Sequence, residues 1–169
     1  MSNSLKHIRA ILLLPVTVTV VIPGILTYLT DSLNIGWALG LPWSLAPILA
    51  GLMLTGLGLI LVVLTNVLFV RIGRGTLAPW DPTQKLIVQG VYRHVRNPMI
   101  SGVLCILLGE ALVLDSVAIL CWFVVFLVLN LVYTPLVEER DLERRFGVAY
   151  HEYKRHVPRW IPRLRPWEG

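Results

Sequence analysis

Between Arg9 and Arg71, and again between Arg96 and Arg140, the chain carries no lysine or arginine. Both gaps are filled mainly with Leu, Val and Ile. A hydrocarbon core about 30 Å thick is crossed by about 20 apolar residues in a helix, so each gap has room for two crossings. The pattern predicts two pairs of membrane helices. Composition agrees: 56% of the 169 residues are hydrophobic and 15% are charged, against about 25% charged in soluble domains.

The cations also set the orientation. All 15 Lys and Arg residues precede the first apolar segment, lie between the second and third, or follow the fourth. The positive-inside rule then places both termini and the middle loop in the cytoplasm. The multi-pass chain is expected in a bacterial inner membrane. The net charge is +5, but the cations flank apolar spans, so anionic headgroups of membrane lipids are the expected partner and nucleic acid is not. Cys105 and Cys121 lie inside apolar runs without metal-like spacing and read as packed thiols.

The expected fold is all-α and integral to the membrane, with about four transmembrane helices and a C-terminal amphipathic cytoplasmic helix. Residues 1–70 form two N-terminal spans and an external loop. Residues 71–169 form a core of cytoplasmic loop, helical hairpin and tail. The first span, 8–29, follows Lys6 and Arg9 and shows no small-residue cleavage site, so it reads as a retained span rather than a removed leader. Pro15 and Pro23 should bend it. Trp37 and Trp43 suit a membrane–water interface. The second span, 45–70, contains Gly51, Gly56 and Gly58, where helix backbones can approach closely. Spans three and four, 98–114 and 117–137, are joined by a tight polar turn at Asp115 and Ser116.

That short turn makes spans three and four antiparallel neighbours. The start of one then lies beside the end of the other, bringing Arg93, Arg96 and Asn97 within about 10 Å, one helix diameter, of Thr134, Glu138 and Glu139. Beyond, Leu142, Phe146, Tyr150 and Tyr153 recur at helical spacing and form one apolar stripe. Gly147 either ends a helix there or permits close packing.

Glu138 falls where the last span meets water, on what reads as a final helical turn. The helix dipole opposes an acid at that end. It is expected either to pair with Arg93, Arg96 or Arg140, or to meet a cationic or hydroxyl-rich ligand. Glu110 lies within span three near its outer end and reads as a packing or external-surface group. His94, His151 and His156 show no ligand spacing, and no metal site is expected. Neither a phosphate-cradling glycine loop nor a nucleophile elbow is present.

Two stretches carry a resemblance. "GVYRHVRNPMISG" at 90–102, and "EERDLERRFGVAYHEYKRHVPRWIP" about forty residues later, resemble the isoprenylcysteine carboxyl methyltransferase family and the related membrane phospholipid methyltransferases. The likeness covers residues 80–163. It implies a membrane methyltransferase using S-adenosyl-L-methionine, held at the cytoplasmic end of the hairpin. The cofactor contacts it implies fall on Gln84, Lys85, Leu86, Ile87, Tyr92, Asn97, Pro98, Met99, Ile100 and Glu138. Arg96, Thr134 and Glu138 occupy the positions nearest the chemistry. This chain has Asn97 where the family has histidine and Ile100 where it has a second tyrosine. Thr134 stands where characterised members place an arginine that meets a carboxyl substrate.

The chemistry of these residues is compatible with that donor. An aromatic ring such as Tyr92 can pack against a sulfonium or a ring. A carboxylate such as Glu138 can accept from an ammonium or from ribose hydroxyls. Arg93 or Arg96 can meet a carboxylate. An amine acceptor would want a base, for which Glu139 and His94 are the nearby candidates. The acceptor is expected to be a lipid or an apolar or amphipathic small molecule, of the isoprenylcysteine carboxylate or phospholipid amine class. Two other readings remain: a membrane reductase of sterol-reductase type using a nicotinamide dinucleotide, and a small non-enzymatic membrane scaffold.

Overall fold

The computed structural model describes residues 14–30, 35, 37, 40–73 and 85–168. Five helices follow one another: α1 (Leu14–Thr30), α2 (Leu45–Leu68), α3 (Pro98–Val113), α4 (Val117–Phe146) and α5 (Val148–His156). Among the described residues, one 3-10 turn, Gly90–Arg93, precedes α3. No strand occurs among the described residues.

Helices α2 and α4 are long and apolar enough to cross a membrane on their own. Helices α1 and α3 are apolar but shorter. The 16 residues of α3 rise about 24 Å, less than the roughly 30 Å of a hydrocarbon core. The expected set of four spans is thus represented by two full-length helices and two short ones. Of the 24 residues of α2, only Gly51, Gly58 and Thr65 are buried. Leu52, Met53, Leu57, Ile60 and Val63 are exposed on it, and Val124, Val128, Leu129 and Val132 on α4. Contiguous apolar surface on this scale is what a lipid-facing bundle presents.

Helix α1 contains a π-turn at Thr17–Val21, between Pro15 and Pro23. Proline lacks an N–H and its ring crowds the carbonyl four residues earlier, and a wider turn relieves that crowding. The Thr19 and Thr27 hydroxyls donate to the carbonyls of Pro15 and Pro23, at 2.8 and 3.0 Å. The π-turn thus lies between the two prolines expected to bend the helix.

The tightest packing joins α2 to α3, antiparallel. A Cβ built on Gly58 would lie 2.5 Å from the carbonyl oxygen of Gly102, and one on Gly51 would lie 2.7 Å from that of Gly109. Two glycines seven residues apart on α2 thus face two glycines seven residues apart on α3. Gly56 takes no part, since a Cβ there meets nothing within 4 Å; it lies off the contact stripe, which corrects its expected role. Gly58→Ala is expected to cost about 1–3 kcal/mol through overpacking. Thermal unfolding in detergent checks this: Gly58→Ala lowers the midpoint and Gly56→Ala leaves it in place.

Val18 of α1, Val103 and Leu107 of α3 and Phe126 of α4 form a shared core. The Trp122 indole of α4 donates to the Val18 carbonyl at 3.1 Å. The α3–α4 turn is closed by Ser116, whose hydroxyl accepts from the Ile119 N–H at 3.3 Å and caps α4. Trp37 donates to the Leu112 carbonyl at 3.0 Å, pinning the α1–α2 connection to the same end. All of this fixes the hairpin whose opposite end carries the polar residues.

Candidate active site

Proline shapes both walls of that end. Pro98 is the first residue of α3, a position where its missing N–H costs nothing. Pro135 lies inside α4 and is accompanied by another π-turn, Thr134–Glu138, in which the Glu139 N–H reaches back to the Thr134 carbonyl. Such a turn inserts one residue into the helical repeat and re-aims the side chains around it. The helix does not end there. Leu142 and Phe146 continue the apolar stripe, and the chain leaves the helix only at Gly147, with φ of 50°. Glu138 is therefore inside α4 rather than on a last turn, and the opposing dipole expected at it does not apply. Gly147 ends the helix through its backbone conformation, and a Cβ there would meet nothing within 4 Å.

The topological expectation of convergence is met by a direct contact. Arg96 Nη1 donates to Glu139 Oε1 at 2.8 Å. Arg159 grips the same carboxylate with a two-point fork, Nε to Oε1 at 2.6 Å and Nη2 to Oε2 at 2.8 Å. Lys154 Nζ adds a contact to Oε2 at 3.1 Å. Glu139 is 3% exposed and joins three segments of the chain. The ion pair foreseen for Glu138 is formed by Glu139 instead. The single-residue shift follows from the π-turn.

Burial alone would raise the Glu139 carboxyl, but Arg159, Arg96 and Lys154 outweigh it and hold the pKa below its ordinary 4.5. A group depressed on folding contributes stability that is fully present above its unfolded value and lost as pH falls through the folded one. Thermal midpoints should therefore fall as pH drops below about 4.5, and this acid-sensitive component should vanish in Glu139→Gln.

Glu138 has a different environment. It makes no ion pair among the described residues. Burial raises its pKa, the Thr134 hydroxyl works in the opposite direction, and the neighbouring Glu139 charge adds to the rise. Thr134 is 1% exposed. Its hydroxyl approaches Glu138 closely enough to act on it but makes no hydrogen bond of good geometry. Glu138 also lies within electrostatic reach of the Tyr92 and Tyr150 phenols. Burial, then Tyr153 and Glu138, push the Tyr92 hydroxyl well above its ordinary range.

Five buried polar atoms at this end have no partner among the described residues: Asn66 Oδ1 on α2, Arg96 Nε, Asn97 Nδ2, Thr134 Oγ1 and Trp160 Nε1 in the tail. A buried donor or acceptor left unmade costs about 1–3 kcal/mol. At the same end, Pro98 and Met99 are buried and Ile100 packs against the shared core. Tyr92 and Ile87 pack with Phe69, the two rings edge-on at 5.9 Å. Leu86 lies against Tyr150, Tyr153 and Val157. Lys85 is exposed. Gln84 lies outside the described residues.

The polar segment before α3 has a second task. Arg96 N–H donates to the Pro158 carbonyl at 2.9 Å, Arg163 N–H to that of His94 at 3.0 Å, and Trp167 N–H to that of Arg93 at 3.0 Å. Arg93 Nε returns a bond to the Trp167 carbonyl. His94 Nδ1 meets the Arg163 carbonyl at 2.8 Å. The tail thus runs along residues 93–96 and is stitched to them. The foreseen stripe of Leu142, Phe146, Tyr150 and Tyr153 packs beneath it with Trp167. An open groove of about 590 Å³ lies between this tail and residues 86–93, lined by Leu86, Val88, Arg93, Glu152, Trp167 and Glu168 among others. Neither Asn97, Thr134 nor Glu138 lines it.

Sequence reasoning missed Arg159 and Lys154 as members of the cluster. Their spacing from Glu139 gives no helical register, because the break at Gly147 and the turn after His156 intervene.

No curated protein and no solved structure matches the chain. The family model described as phospholipid methyltransferase matches residues 46–149, more than half of the chain, and takes in α2, the hairpin and the carboxylates at its end. The chain belongs to the phospholipid methyltransferase family and is a membrane methyltransferase.

Proposed function

We propose that the chain transfers a methyl group from S-adenosyl-L-methionine to a lipid or other amphipathic acceptor at the cytoplasmic membrane face. The observation that carries this reading is the Glu138 carboxylate, without an ion pair among the described residues and next to Thr134, at the hairpin end where Arg96 Nε, Asn97 Nδ2 and Thr134 Oγ1 also lack partners. These groups fit the donor. Glu138 accepts from ribose hydroxyls or the ammonium, Asn97 Nδ2 donates to an acceptor, and Thr134 Oγ1 can do either. When bound, the donor supplies an electrophilic methyl group on a sulfonium centre.

The chain's own contribution is placement and exclusion of water. Holding two reactants in line is worth up to about 7–11 kcal/mol of barrier. The packed rings of Phe69 and Tyr92 and the buried start of α3 form a dry, rigid wall for this. Leu136, Val137 and Tyr133, exposed on α4 beside Thr134 and Glu138, offer an apolar approach for an acyl or prenyl chain from the bilayer.

Of the bases considered for an amine acceptor, Glu139 is held charged by three cations and His94 has one ring nitrogen committed to the tail. Glu138, which makes no ion pair among the described residues and whose pKa is raised by burial, is the carboxylate at this end better suited to take a proton. The phospholipid amine class therefore fits this end better than a prenylcysteine carboxylate, whose arginine partner is replaced by Thr134. The cytoplasmic placement of this face and of both termini rests on the distribution of Lys and Arg.

Ligand stabilisation tests the cofactor assignment. S-adenosylmethionine is expected to raise the thermal midpoint of the detergent-purified protein, and NADPH to leave it unchanged. The reverse result rejects the methyl-donor reading in favour of a reductase.

A further inference from the structure

We propose that Arg159, acting through Glu139, is a positioning residue that presents the free Nε–H of Arg96 to an oxyanion on a bound ligand. The inference rests on the donor-site reading above and extends it into the tail, beyond the 46–149 stretch that matches the family.

The geometry is a relay of three side chains. Arg96 spends Nη1 on Glu139 at 2.8 Å and, more weakly, on the Tyr150 hydroxyl at 3.4 Å. Its Nε is buried and has no acceptor among the described residues. The side chain is 9% exposed, so water does not substitute freely. A guanidinium is a planar fork with fixed donor directions. Fixing one nitrogen therefore constrains where the other points. Glu139 does the fixing, and Glu139 is itself held by the two-point grip of Arg159. Lys154 cannot replace that grip, because its ammonium is a point charge shared with Glu143 at 2.8 Å.

Arg96, Arg159 and Lys154 converge on Glu139, and Lys154 also meets Glu143, so three cations to two paired carboxylates leave an excess of positive charge in the cluster, with Arg96 its least exposed cation. An oxyanion meeting Arg96 Nε would balance part of it. Two ligands supply that chemistry, the carboxylate of the methyl donor and the phosphate of a lipid headgroup. Both would be read by the same donor.

Equilibrium binding to the full-length protein in phosphatidylcholine nanodiscs tests the relay with three probes. They are S-adenosylmethionine, its decarboxylated analogue, and dihexanoyl phosphatidic acid. Arg159→Gln should weaken one of the two oxyanion-bearing probes about tenfold and leave the decarboxylated analogue within about twofold. The probe that weakens identifies the source of the oxyanion. Arg96→Gln should produce the same selective loss, and the double variant no more than either alone, because both act on one contact. Arg159→Lys should restore part of the affinity; it also serves in place of Arg159→Gln should that variant fail to fold. Equal weakening of all three probes, or no change in any, overturns the inference while leaving donor binding by the wild type in place. If the wild type binds no S-adenosylmethionine, the donor reading fails, and the inference fails with it.

Discussion

Glu138→Gln is expected to abolish most methyl transfer while leaving the fold intact. The substitution keeps the size of the side chain and removes its charge. Losing one or two hydrogen bonds to a charged group is worth about 1.5–3 kcal/mol each, which is roughly tenfold to a hundredfold or more in rate or affinity. Stability should not suffer, because the wild-type carboxylate is half-buried with no cation paired to it among the described residues, and its charge is a burden on folding. The thermal midpoint of Glu138→Gln should equal or exceed that of the wild type. Loss of labelled methyl incorporation into a membrane lipid extract, at an unchanged midpoint, is the expected pair of results. Glu152→Gln in the neighbouring groove serves as the control and should retain activity.

Glu139→Ala should have the opposite profile. Breaking a buried ion pair by removing one partner typically costs about 3–5 kcal/mol, because the remaining charges are left uncompensated. Here one deletion strands Arg96 and Arg159 and takes one of two carboxylates from Lys154. The tail should loosen as well, since Arg159 is its main side-chain anchor to α4. Thermal unfolding should show a large fall in midpoint, and trypsin should cut faster after Arg155, Arg159 and Arg163. Glu143→Ala, which removes only a partly exposed contact of Lys154, should change neither. Two adjacent carboxylates would then be separated by experiment into one that serves the ligand and one that serves the structure.

The sequence made the hairpin legible because its evidence is long-range and redundant. Two cation-free gaps, a turn at Asp115 and Ser116, and charges at both far ends leave one arrangement, and Arg96 meets Glu139 as that arrangement requires. The amphipathic stripe from Leu142 to Tyr153 was legible for the same reason, since periodicity survives small irregularities. The allocation of Glu138 and Glu139 was not. It depends on the π-turn at Thr134–Glu138, and one inserted residue exchanges the surroundings of neighbouring side chains. Pro135 marks the site of such a distortion but does not declare its type. The glycine contacts were half legible. Gly51 and Gly58 were visible on α2, but their partners Gly102 and Gly109 gain meaning only when the register of α3 is known. The tail was least legible. Backbone bonds from Pro158, Arg163 and Trp167 to residues 93–96 involve groups every residue possesses, so no side-chain pattern announces them.

The placement of the methyl donor at the hairpin end, rather than in the groove beneath the tail, is the claim on which the functional account depends. Ultraviolet cross-linking of methyl-labelled S-adenosylmethionine to the wild-type protein, followed by peptide mapping, addresses it directly. Label is expected in peptides spanning 92–100 and 133–139, and its yield should collapse in Glu138→Gln. Label confined to peptides spanning 149–168, at a yield indifferent to Glu138, would contradict the account.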